Sequence, residues 1–444
     1  MVSHQRKIIL LFFLLIKTAQ LSAQKATSPY AEPGQGIWAL SMVMLHDVVN
    51  PPAAARYYSY ATLGAHEIVA ANNKTILPTG GILKDKADFT IQNPPAAYDY
   101  KIAAYYCILE TGKLMLPSGF QLQETEEKYL ATLKKNKVKA DVIQASVTVA
   151  EQMATKVVAY SKKDNYNKLS ARLRYTPKKE EGFWYPTPPA YIEAVEPNWR
   201  IIRPMMLDTC TAFTPLRPAS FSKDSTSAFY KLNKEVKETG DHLTPAQRDI
   251  AAFWDCNPFA VSTSGHMSIG FKKISPGGHW MNIAALAGEK TGLSFDKKIE
   301  VLTYEGIAIM DAFISCWDEK YRTNRIRPET YINRYMNVKW TPLLQTPPFP
   351  EYTSGHAVIS NASAEVLSFF FGDNFGYTDD TETMFELKPR TFTSFRQAAA
   401  EASISRLYGG IHYRDACENG NRQGKAIGDF IVQKMQKAGV KQVR

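Results

Sequence analysis

"PEYTSGHAVISNASAEVLSFFFG" (350–372) carries the reading of the fold. Past its first residues, apolar side chains recur every three or four positions, which predicts a helix that buries one face. Ser354, Gly355 and His356 stand at its mouth. A helix start presents unpaired N–H groups and the positive end of the helix dipole, a natural seat for an anion. Ser354 can cap the helix or donate to an oxygen, Gly355 lets its N–H approach closely, and His356 can exchange a proton near neutral pH. The triplet alone is weak: "TSGHMS" repeats it at Ser264-Gly265-His266 with no cationic segments arranged around it.

The same period runs outward through the chain. "GIWALSMVMLHDVVN", stopped by Pro51-Pro52, "AARYYSYATLGAHEIVAANN", "YDYKIAAYYCILETGKLML", ended near Pro117, "ETEEKYLATLKKNK" and "KADVIQASVTVAEQMATKVVAYSKKD" read as helices of an N-terminal lobe, 24–164. Region 165–240 differs. Its Pro and aromatic content disfavours helix and predicts an ordered loop wrapping the surface, pinned by Trp184, Tyr185 and Trp199. Helices are expected to resume after Asp241 and to form a C-terminal domain, 241–444. In "LTPAQRDIAAFWDC", Thr244, Pro245 and Gln247 make a capping box. "HWMNIAALAGEK", "DKKIEVLTYEGIAIMDAFISCWDEKYR", the opening stretch, "FTSFRQAAAEASISRLYGG" and a helix over roughly 417–436 complete it. No alternating strand run of useful length appears, so the fold class is all-α.

A chain of 444 residues exceeds what one core usually organises, so two lobes or a composite bundle are expected. The net charge of +10 favours anionic partners, but no Lys/Arg block or zinc-finger spacing points to nucleic acid. Arg6 and Lys7 precede an apolar run over 8–16, with Leu21-Ser22-Ala23 as a cleavage site. This is signal-peptide anatomy, 1–23, and predicts a periplasmic or secreted protein without stable membrane insertion. The five cysteines are scattered with no CxxC, and their pairing is left open between one or two disulfides and buried thiols.

Two more segments carry chemistry. In "CWDEKYRTNRIRPET", Lys320 and Arg327 are seven apart, so a helix would show both on one face, with Arg327 at its end before Pro328. In "SRLYGGIHYRDACENG", Gly409-Gly410 turn the chain and can bring Arg406 and His412 to one point, with Asp415 a turn beyond to hold the other ring nitrogen. Together the three segments supply two Arg, one Lys, one Ser, a glycyl amide and two His, an inventory for a tetrahedral or trigonal-bipyramidal oxyanion. His46-Asp47 and His66-Glu67 lack zinc spacing, and His279-Trp280 after "SPGG" reads only as a helix start.

This order and spacing resemble the vanadium-dependent haloperoxidase / type 2 phosphatidic acid phosphatase superfamily, whose signature reads K-x6-RP, PSGH, SR-x5-H-x3-D. Lys320, Arg327 and Pro328 match the first part; Ser354, Gly355 and His356 the second, with Thr353 in place of Pro; Ser405, Arg406 and His412 the third, with Asp415 one residue early. The resemblance implies two packed helical bundles. It implies that Lys320, Arg327, Ser354, Gly355 and Arg406 bind the oxyanion, that His356 is the acid/base group, and that His412 coordinates vanadium in a peroxidase or attacks phosphorus in a phosphatase.

Trp317 and Phe349 are placed as in the chloroperoxidase-type enzymes, whose aromatics line the halide side. With the long soluble two-lobed chain they favour an exported haloperoxidase, with vanadate as cofactor and peroxide and halide as substrates. The rivals are a phosphomonoesterase working through phospho-His412 without a cofactor, and a non-catalytic oxyanion binder supported only by the displaced Asp415.

Overall fold

The computed structural model describes residues 30–264, 267–270 and 272–443. The leader at 1–23 and the Gly265-His266 pair of the second Ser-Gly-His triplet lie outside the described residues. Thirteen α-helices follow in order: α1 (Pro33–His46), α2 (Pro51–Asn72), α3 (Tyr100–Met115), α4 (Leu122–Lys135), α5 (Ala140–Ser161), α6 (Ala228–Asp241), α7 (Pro245–Phe253), α8 (Pro276–Lys290), α9 (Phe295–Thr323), α10 (Pro328–Tyr335), α11 (Gly355–Phe371), α12 (Phe395–Tyr408) and α13 (Arg414–Ala438). Two short antiparallel hairpins, β1 (Val261–Ser264) with β2 (Met267–Gly270) and β3 (Tyr377–Asp379) with β4 (Arg390–Phe392), are the strands among the described residues. They leave the all-α reading intact.

α9 is the axle. Most of its 29 residues are buried, charged ones such as Asp311 and Lys320 included, because neighbouring elements pack against it from several sides. α2 and α3 pack with α5 on one flank of it, and α11, α12 and α13 group on the other. One continuous buried cluster runs from Ile37 to Val440, so the N- and C-terminal helices share a core. Pro51 and Pro52 do more than stop α1: they occupy the first turn of α2, where a missing N–H costs nothing, under an Asn50 cap. The Thr244–Gln247 capping box is present, with both reciprocal hydrogen bonds formed.

The Pro- and aromatic-rich segment is ordered and pinned as its composition suggests. Trp184 and Trp199 are fully buried, and Tyr185 accepts a hydrogen bond from Arg334. One of its anchors was not foreseen. The buried Asp311 carboxylate of α9 accepts the successive N–H groups of Met205, Met206 and Leu207 at 2.6, 2.7 and 2.8 Å. The loop ends earlier than expected. α6 begins at Ala228 under a Ser227 cap, because Phe229, Asn233 and Val236 give it a buried face that the surrounding charges hide. All five cysteines are free thiols, four of them buried.

Candidate functional site

The cationic residues reach the site from the ends of α9, α10 and α12. Lys320 and Trp317 lie on the last turns of α9, and Arg327 caps α10 just before its first-turn proline. Arg406 closes α12, and the Gly409-Gly410 turn, with Gly410 at φ 75°, brings His412 back toward it. Ser354 caps α11, its Oγ accepting the Ala357 N–H, which sets Gly355 and His356 in the first turn. The three segments converge on one cavity. Gly355, His356, Arg406 and His412 form its polar side, and Trp317, Phe313, Phe349, Phe259, Pro51, Pro276 and Pro347 its apolar side. The Trp317 and Phe349 rings are 4.9 Å apart and line the cavity side by side.

His412 is held in one state. Its Nδ1 lies 2.8 Å from Glu351 Oε1, and its Nε2 faces Arg327 Nη1 at 3.1 Å. Nδ1 therefore donates to the carboxylate and Nε2 keeps its lone pair toward the arginine. Burial, reinforced by the Arg327, Lys320, Arg406 and Arg325 charges, pushes this histidine well below its ordinary pKa and keeps it neutral. Burial and then the Arg406 charge do the same to His356, whose Nε2 is shielded and has no partner.

The assignment of Asp415 as the group that orients His412 is corrected. The Arg325 guanidinium fork takes both Asp415 oxygens, each at 2.7 Å, and the Ala219 N–H adds a weaker contact. The first turn of α13 aims the carboxylate away from the imidazole and at Arg325. Glu351 does the orienting. It also accepts the Tyr413 N–H at 3.0 Å and Arg325 Nε at 2.6 Å, so Asp415 acts on His412 only through Arg325 and Glu351. Sequence reasoning missed both linking residues. Glu351 sits inside the opening stretch, three residues before Ser354, and Arg325 two residues before Arg327.

Lys320 is also corrected in part. Its ammonium donates to the carbonyls of Pro350, Glu351 and Thr353, so its three protons are spent on the loop that leads into α11. It shapes that loop and adds charge, but has no proton left for an oxyanion in this arrangement. Arg327 donates to the Phe349 and Ile411 carbonyls through Nε and Nη1, and its buried Nη2 has no partner. Arg406 donates to the Trp254 carbonyl through Nη1, and its buried Nε has no partner. Among the described residues none of these three cations forms an ion pair, although all are buried. Burial pushes Lys320 down to about 8 and Arg327 to about 10, and lowers Arg406.

An oxyanion fits this set. Buried charges without counter-charges are costly, and donors without acceptors add to that cost. The three unpartnered nitrogens, Arg327 Nη2, Arg406 Nε and His356 Nε2, are what an oxyanion bound at His412 would satisfy. Gly355 leaves it room: an added Cβ would meet only Trp317, at an ordinary 3.7 Å, so the neighbouring protein does not demand glycine there.

Comparisons with known proteins bear on the fold and the family. The family model for the second helical-bundle domain of vanadium chloroperoxidases matches residues 300–439. A solved structure described as the first bacterial vanadium-dependent iodoperoxidase is 41% identical, with TM-score 0.83, covering 90% of this chain and 95% of that one. Holo and apo bacterial vanadium-dependent chloroperoxidases share the fold at 14% and 15% identity, with TM-scores of 0.65 and 0.64; the alignments cover 88% of this chain in each case, and 93% and 95% of theirs. No curated protein matches. With its fold, its three-segment signature and this similarity in hand, the chain belongs to the vanadium-dependent haloperoxidase / type 2 phosphatidic acid phosphatase superfamily, and is an enzyme of the haloperoxidase type.

Proposed function

We propose that the protein is an exported enzyme that oxidises halide, iodide foremost, with hydrogen peroxide at a vanadate held by His412. The carrying observation is the cluster of three buried cations without ion-pair partners around the neutral His412. The 41% identical structure, described as an iodoperoxidase, supports iodide among the halides. The leader read at 1–23 supports export, and no helix among the described residues is long and apolar enough to cross a membrane.

Vanadate bound there would supply the Lewis acidity that activates peroxide for a two-electron oxidation. The chain's own residues do the rest. Glu351 fixes the His412 tautomer that carries the lone pair on Nε2, which would become the ligand in place of its present contact with Arg327 Nη1. Arg327 Nη2, Arg406 Nε, the Ser354 hydroxyl and the Gly355 N–H at the start of α11 offer hydrogen bonds to oxyanion oxygens. His356, kept neutral, can take a proton from peroxide at Nε2 and return one to the leaving oxygen. The Trp317–Phe349 wall lowers the water content beside them, which suits a large, weakly hydrated halide. The binder reading loses its support, because Glu351 fills the orienting place that the displaced Asp415 left in question.

The test is halogenation of a reporter dye by vanadate-loaded protein with peroxide and iodide, then bromide. Turnover with iodide, lost in His412→Ala, is the expected result. Intact vanadate binding without halogenation would overturn the reading, and hydrolysis of an aryl phosphate that vanadate inhibits would replace it with the phosphatase.

A further inference from the structure

We propose a second metal site, for a divalent zinc-type ion, formed by Cys256, His279 and Glu382 beside the vanadate cavity. These residues come from three separate segments: the turn after α7, the first turn of α8, and the loop that follows β3. All three are buried, and one ligand atom from each lies within 4.8 Å of the other two. His279 Nδ1 is 3.4 Å from Cys256 Sγ and 3.3 Å from Glu382 Oε1. A tetrahedral zinc with bonds of roughly 2.0–2.3 Å sets ligand-to-ligand edges of roughly 3.3–3.7 Å, so two of the three edges already have the right length.

Two independent observations point to a cation there. Both oxygens of Glu382, a fully buried side chain, lack a hydrogen-bond partner. His279 Nδ1 carries at most one proton and cannot satisfy them and the Cys256 sulfur together; an ion between the three would. The other face of the imidazole is also set up for ligation: Nε2 lies 2.8 Å from Asp379 Oδ2, and Asp379 is in turn held by the N–H and hydroxyl of Thr381. A histidine that donates its far N–H to a carboxylate is the usual partner shell of a metal ligand. A thiolate, an imidazole and a carboxylate together suit zinc rather than calcium or magnesium. Binding breaks the Cys256 S–H bond and the His279 Nδ1–H bond, the latter favoured in the free site by the neighbouring carboxylates, and releases both protons to solvent as the metal–sulfur and metal–nitrogen bonds form. Cys256 lines the vanadate cavity, which gives the ion an entry path and leaves the fourth position open to a water.

The site would clamp the vanadate pocket from behind. Trp254 stacks on His279 with ring centroids 4.8 Å apart, and its carbonyl is the acceptor that orients Arg406. An ion joining Cys256 to His279 and Glu382 fixes that carbonyl.

Cobalt(II) titration of the full chain, freed of metal by a chelator, tests the idea. The expected result is one equivalent bound, with intense ligand-field bands of a four-coordinate ion and a thiolate-to-cobalt charge-transfer band. Zinc should displace it. Cys256→Ser should abolish the charge-transfer band. Asp379→Asn should weaken binding by roughly 10- to 100-fold. His412→Ala should leave both bands intact, which separates this site from the vanadate histidines. Glu382→Gln serves as a second ligand variant, with circular dichroism verifying that each variant is folded. No cobalt uptake by the folded wild-type chain, or bands that survive Cys256→Ser, would overturn the proposal. Neither readout depends on halide oxidation, so it stands or falls apart from the proposed activity.

Discussion

Glu351 decides how His412 behaves. One oxygen holds the imidazole and the Tyr413 N–H, and the other holds Arg325, itself clamped by Asp415. Removing the charge of Glu351 would leave Arg325 short of a buried partner and free the imidazole to change tautomer. Glu351→Gln should therefore weaken vanadate binding by roughly 10- to 100-fold. Asp415→Asn should cost less, because it touches only Arg325 and the Ala219 N–H. Vanadate titration of both variants checks the order. A larger loss in Asp415→Asn would return the orienting role to Asp415.

At the scale of elements, α13 fixes where α11 begins. Gly420, Gly424 and Gly428 are spaced four apart and form a flat ridge on α13 against α11. A Cβ at Gly420 would sit 2.8 Å from that of Ala357, one at Gly428 2.7 Å from that of Glu365, and one at Gly424 would run into the Val358 carbonyl. Propensity alone says that Gly→Ala in a helix gains about 1 kcal/mol. Packing reverses the sign here, since backbone cannot step aside. Gly424→Ala should cost about 1–3 kcal/mol in denaturant unfolding. It should also lower vanadate affinity, because it pushes on the helix whose mouth carries Ser354, Gly355 and His356. By contrast, Thr244→Ala removes the capping box of α7, and should cost about 1 kcal/mol of stability.

Across the whole molecule, stability is tied to two kinds of buried charge. Glu305, in the middle of α9, is pushed up to about 8 by burial, only partly offset by the neighbouring Ser363 hydroxyl. In the unfolded chain it titrates near the ordinary 4.5. Between those values the folded state binds more protons, so its contribution is full below the lower value and is lost as pH rises through the higher one. The slope reaches about 1.4 kcal/mol per pH unit. Melting of wild type should fall between about pH 4.5 and about pH 8, and Glu305→Gln should flatten that fall. Equal slopes in both proteins would show that Glu305 is not the group responsible. The second kind is the unpaired cationic pocket. An anion that binds only the folded chain stabilises it by mass action, so the proposed site predicts that vanadate or phosphate at about a hundred times its dissociation constant adds about 2.7 kcal/mol and raises the melting temperature.

The sequence by itself determined the helical class, most helix positions and the anion-binding inventory. Those depend on local rules: a 3.6-residue period, caps such as Thr244 and Ser354, and a signature whose spacing survives because each segment sits within one element or turn. It misplaced the start of α6, where a buried face was masked by charge, and gave the orienting role to Asp415 because that residue is near in sequence. Only the tertiary structure could assign it to Glu351, spend the Lys320 protons on loop carbonyls, and gather Cys256, His279 and Glu382 from segments more than a hundred positions apart at their extremes. The physical reason is that hydrogen bonding and ligation depend on distance and direction in space. Between separate elements these are set by how α9, α11 and α13 pack, and no local period encodes that.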